Sequence, residues 1–248
     1  MNRVGKQIIY GCIYGLIFIS FLVFIYLSFL KPAPSCFDNK QNQDETGLDC
    51  GGVCGPCLGN PKDITVSLST IFFVNEPIAV VRLMNPNNNV GAKNLSYKID
   101  VLDSSQNVLK TLEGDTFIYP GEQSKNLIFI LEGLNNANSL NVNISKPEWL
   151  LVSDFLPADF TFVRSVKRVE KDRIIIEGEI KSNETLLFRN IEIGAFFYNK
   201  TGNIVGVSKT SVQSVKPFER RAFTIEFPSG SLPINPDATK LYFDALRP

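Results

Sequence analysis

The chain has 248 residues, 25 Lys+Arg against 25 Asp+Glu, and no histidine. A net charge of zero leaves no basic excess for nucleic acid, and without histidine the commonest general base and metal ligand is missing. No Ser/His/Asp set, Gly-x-Ser-x-Gly elbow or phosphate loop is present, so the chain is expected not to be an enzyme.

The first element is Ile8–Leu30, IIYGCIYGLIFISFLVFIYLSFL. No charge interrupts it, and it exceeds the ~20 residues that cross a bilayer core. Arg3 and Lys6 precede it, while Lys31 and then Asp38, Asp44, Glu45 and Asp49 follow. Positive charge stays cytoplasmic. The expectation is a single-pass plasma-membrane protein with a cytoplasmic tail over 1–7, a transmembrane helix over 8–30, and residues 31–248 outside. A cleaved signal has a shorter apolar region, although Ala33-Pro34-Ser35 offers a small-residue site. Gly11 and Gly15 form a small-xxx-small pair suited to helix-mediated self-association; the frequency of glycine in such helices is the plainer explanation.

Residues 31–62 are rich in Gly, Pro, Asn and Asp and hold four of the five cysteines: Cys36, Cys50, Cys54 and Cys57. So polar a piece cannot bury a core and needs cross-links. Two structural disulfides are expected, with three pairings open. Three other chemistries compete. Asp38, Asn42, Asp44, Glu45 and Asp49 are hard oxygen donors for calcium, though without EF-hand spacing. Four thiolates suit zinc, but the first pair is too widely spaced. Cys54-Gly55-Pro56-Cys57 resembles the thioredoxin redox core, but flanking glycines and Pro61 leave no place for the helix that would lower a thiol pKa.

The remainder reads as two copies of one unit, residues 63–145 and 159–248, joined by a linker over 146–158. Sliding the chain by 96 positions superposes Ile78 on Ile174, Val80 on Ile176, Asn87 on Asn183, and Asn107 on Asn203; one inserted residue later, Pro120 meets Pro217 and Glu122 meets Glu219. Runs such as Leu95–Leu102 alternate apolar and polar residues, the pattern of a half-buried strand. In the first copy strands are expected over 64–74, 78–84, 95–102, 126–131 and 140–144. In the second they are expected over 160–170, 173–181, 191–198, 204–210, 222–227 and 240–246. Each copy should hold about seven strands in a sandwich. Trp149 in the linker is expected to pack between the copies.

Two resemblances follow. Cys36, Asp38, Asn42, Glu45, Gly47, Asp49, Cys50, Gly51, Gly52, Cys54 and Cys57 together resemble a short module of bacterial surface proteins. Phe197-Tyr198-Asn199 and Val101-Leu102-Asp103, with the corners Pro217-Phe218-Glu219 and Pro120-Gly121-Glu122, are similar to the FxLYD-type β-sandwich. That resemblance implies an Ig-like domain of the cell envelope without known catalysis. The fold expected is mainly β: two tandem Ig-like antiparallel sandwiches after one transmembrane helix. The function expected is binding or adhesion to a protein or glycan; the alternative is a structural subunit of an envelope complex, and a thiol-redox protein using Cys54 and Cys57 comes third. No cofactor is expected beyond calcium at the acidic loop.

Overall fold

Alternating apolar residues turn about two-thirds of the chain beyond residue 64 into strand. The computed structural model describes residues 3–26, 36, 38, 40–42, 44–55, 57–230 and 232–248. Two compact units divide the chain, Met1–Cys57 and Leu58–Pro248.

In the first unit α1 spans Arg3–Ile25, and its apolar side chains from Ile9 to Tyr26 are largely exposed. Among the described residues no helix is long and apolar enough to cross a membrane. This corrects the placement of the chain as a single-pass plasma-membrane protein with residues 31–248 outside. Residues 3–7 of the charged tail belong to the helix, and only Ile8–Ile25 of the expected span lies within it. At ~1.5 Å per residue that stretch is roughly 27 Å, short of a hydrocarbon core of about 30 Å. Residues 27–35, which include the end of the expected span and Ala33-Pro34-Ser35, lie outside the described residues.

The second unit is built from antiparallel strands: β1 (Thr65–Phe73), β2 (Pro77–Met84), β3 (Val90–Leu102), β4 (Val108–Ile118), β5 (Lys125–Ile130), β6 (Ser139–Ile144), β7 (Trp149–Leu151), β8 (Phe160–Val169), β9 (Arg173–Ser182), β10 (Phe188–Asn199), β11 (Ile204–Val215), β12 (Arg220–Pro228) and β13 (Ile234–Asp244). They form four sheets. β1-β2-β5 faces β4-β3-β6 across Val81, Leu83, Leu95, Ile99 and Leu127, and β12-β9-β8 faces β11-β10-β13 across Ile174, Ile176, Ile193, Phe197 and Phe227. Adding seven to each label converts the first pair of sheets into the second, so one topology occurs twice, with six strands each time.

The hydrogen bonds locate the correspondence more finely. The Asp103 Oδ1 atom accepts from the Asn107 amide at 2.9 Å, and the Asn199 Oδ1 atom accepts from the Asn203 amide at 2.9 Å. This is an Asx-type turn closing each hairpin, and here the 96-residue shift holds. In β2 and β9 it does not. Asn87 Oδ1 accepts from the Lys62 amide at 2.8 Å, while the group that accepts from the equivalent Asp159 amide, at 2.9 Å, is Glu184 Oε1. Asn87 therefore matches Glu184 rather than Asn183, a shift of 97. A slip of one residue flips a strand's faces: Ile78 and Val80 look outward from their sandwich, while Ile174 and Ile176 fill the core of theirs.

At each corner a glutamate closes a tight turn. Glu122 Oε2 accepts from the Tyr119 amide at 2.8 Å and Glu219 Oε2 from the Lys216 amide at 2.7 Å. The third residue of the turn has positive φ, 66° at Gly121 and 57° at Phe218. With proline second, this is the requirement of a type II turn. Glycine meets it freely, and phenylalanine is strained there.

The two sandwiches lie side by side. Val80 and Ile128, on the outer face of β2 and β5, pack against Phe196 and Val207 on the outer face of β10 and β11. Val80 and Val207 are fully buried, and the Arg82 guanidinium sits 4.9 Å from the Phe196 ring centre. The linker adds to this block. Trp149–Leu151 pair with Val90–Ala92 of β3 as β7, which the sequence reading had assigned to a connection. Trp149 is only half-buried; the anchored aromatic is Phe155, stacked on Tyr119 at 4.6 Å.

Truncating Phe196 to Ala should cost about 3–5 kcal/mol, the usual range for a buried phenylalanine, measured by urea denaturation of the full chain. A loss under about 1 kcal/mol would mean that the seam is open in solution.

Candidate functional site

The cysteine module is where the sequence concentrates its chemistry. Its disulfides are Cys36–Cys54 and Cys50–Cys57. Cys54 and Cys57 therefore bind different partners, unlike a redox pair that closes on itself, and the short 3₁₀ turn Gly52–Cys54 ends where a thioredoxin-type helix would begin. Pro56 lies outside the described residues.

Local geometry explains the glycines. Gly47 lies against the second disulfide, where a Cβ would come 2.9 Å from Cys50 Sγ and 3.1 Å from Cys57 Sγ. Gly51 has φ +86°, and a Cβ there would come 2.1 Å from Thr46 Oγ1. Its amide donates to the Gly55 carbonyl.

Four of the five calcium candidates share one chain of hydrogen bonds. Asp38 Oδ1 accepts from the Lys40 amide, Asp49 Oδ1 from the Asp38 amide, and Glu45 Oε2 from the Asn42 amide, each at 3.0 Å. The Asn42 side-chain amide donates to Asp38 Oδ2 at 3.0 Å. Asp44 is exposed and takes no part in these bonds. The carboxylates thus accept backbone N–H groups that a loop without a core leaves unpaired. Glu45 is buried against Cys54. Donor atoms of Cys36, Glu45 and Cys54 lie within 4.8 Å of one another, but a disulfide sulfur offers no thiolate to zinc.

A second constellation went unseen in the sequence. The Lys125 side chain is 1% exposed, and its Nζ lies 2.7 and 2.6 Å from the two carboxylate oxygens of Asp244. The Phe117 ring centre is 3.1 Å from the same nitrogen. Glu122 and Asp244 line one cavity of about 240 Å³ with Tyr119, Ala158 and Ala245. Desolvation lowers the pKa of Lys125 and raises that of Glu122; in each case the opposite charge nearby works against the shift. The Tyr119 hydroxyl donates to the Ala245 carbonyl at 2.8 Å and accepts from the Arg247 amide at 3.0 Å. Burial pushes its phenol up to about 12. Lys125 opens a strand and Asp244 closes one far along the chain, so no local pattern links them.

No family model and no curated protein matches the chain. Among solved structures it is similar to the crystal structure of red sea bream transglutaminase, at 9% identity and a TM-score of 0.23, over 74% of this chain and 29% of that one. The chain thus spans under a third of that protein's length, and a score so low carries no argument.

Two predictions follow from these geometries. Non-reducing digestion should yield a Cys36–Cys54 and a Cys50–Cys57 peptide, and reduction should loosen residues 36–57 while leaving the melt of residues 58–248 nearly unchanged; a Cys54–Cys57 peptide would contradict this. Tyr119 has a folded pKa above the unfolded value of about 10. Its contribution to stability is therefore full below pH ~10 and is lost as pH rises toward about 12. Tyrosinate absorbance during alkaline titration, with Tyr119→Phe as the difference, reads that step directly.

Proposed function

We propose that the chain is a non-catalytic binding protein, in which two tandem Ig-like sandwiches carry a disulfide-stapled module that docks a protein partner. The observation that supports this reading is the pair Leu48 and Val53. They are 66% and 73% exposed on a loop closed by two cross-links. Apolar side chains held on a rigid loop lose little entropy on docking. Two disulfides agree with folding in an oxidising compartment. The FxLYD-type resemblance of the corners and hairpins supports the same reading, because sandwiches of that kind serve as spacers and binders.

Leu48→Asp with Val53→Asp should abolish capture of the partner found by crosslinking and mass spectrometry in the native setting, while the sandwich melt stays unchanged. Crosslinks that avoid residues 44–58, or capture unaffected by the double substitution, would take the binding site away from the module.

A further inference from the structure

We propose that Lys125 and Asp244 join as an intramolecular isopeptide bond: Nζ attacks the Asp244 side-chain carbon, one water leaves, and β5 becomes covalently tied to β13. The starting geometry is that of a reacting pair. Nζ stands 2.7 and 2.6 Å from the two oxygens of one carboxyl group, so the carbon between them is within contact distance. Holding two reactants in this way is worth effective concentrations of about 10⁵–10⁸ M.

The surroundings distinguish this pair from other lysine–carboxylate contacts. Among the described residues Lys98–Glu113 and Lys209–Glu192 are also ion pairs, but their lysine side chains are 53% and 34% exposed, against 1% for Lys125. Where water has access, both partners stay charged, and a charged ammonium is no nucleophile. In the seam, burial disfavours the ammonium, the same desolvation that activates buried lysines elsewhere. The flanking carboxyl, Glu122, is held toward its protonated form by the same burial, although Lys125 opposes the shift. Glu122 and Asp244 face one small cavity, which gives the leaving water a place to go.

The step balances without any co-reactant. Lys125 Nζ passes a proton to the Asp244 carboxylate oxygen it touches, the amine so formed adds to the carboxyl carbon, and a C–N bond forms. Glu122 gives its proton to the departing hydroxyl and takes up the one shed by nitrogen, so it ends as it began; the C–O bond breaks, and the products are a secondary amide and one water. Nothing is oxidised or reduced. The bond also removes two buried charges whose desolvation the ion pair has to offset.

The test is the intact mass of the full, folded chain after its disulfides are reduced. It should be one water lighter than the sequence requires, and tandem mass spectrometry should find a branched peptide joining Lys125 to Asp244. Lys125→Arg, which keeps the charge but not the nucleophile, should restore the full mass. Glu122→Gln should fold yet keep most of the chain at full mass. Full mass in the folded natural chain would overturn the proposal, and so would a water deficit that persists in Lys125→Arg or maps elsewhere. Glu122→Gln that cross-links as completely as the natural chain would remove Glu122 from the reaction.

Discussion

A lysine taken out of water must meet a carboxylate or give up its proton, and Lys125 meets Asp244. Much of the large unit's arrangement depends on that requirement. Asp244 ends β13, which pairs with β10. Bringing Asp244 to Lys125 therefore lays the outer face of β10 and β11 on β2 and β5, where Phe196 and Val207 meet Val80 and Ile128. Tyr119 ties the same corner from the other side through Ala245 and Arg247, and Phe155 covers Tyr119.

The seam joins unlike faces. In the first copy it uses the β1-β2-β5 sheet, in the second the counterpart of β4-β3-β6. Such a heterologous contact can in principle repeat without closing. The remaining outer faces are polar. On β3 and β4, Ser96 bonds Asp115, Thr111 bonds Asp100, and Lys98 pairs with Glu113. On β8 and β9, Arg168 pairs with Glu177. Neither face offers the apolar surface that Val80 and Phe196 give each other.

The cysteine module holds its shape by other means. Its chain of carboxylate-to-amide bonds and its two disulfides do what burial does in the sandwiches. Two of its glycines have a local cause: Gly47 touches a disulfide, and Gly51 needs a backbone conformation that only glycine adopts freely.

How much was legible in the sequence depends on how local the cause was. Strand identity, the hairpin turn at Asp103 and Asn199, the tight corners at Pro120 and Pro217, and the confinement of the disulfides to residues 36–57 were all determined by short patterns, because alternation and turn chemistry act within a few residues. The register of β2 against β9 was not. Residues 77–84 are apolar on both faces, one for the core and one for the seam, so no alternation marks which side is which. The sequence also could not choose among the disulfide pairings. It missed β4, β7 and the Lys125–Asp244 pair. Tertiary structure decided those, since a strand such as Trp149–Leu151 exists only because β3 offers a free edge, and a lysine is buried only where a distant aspartate and an aromatic ring arrive to receive it.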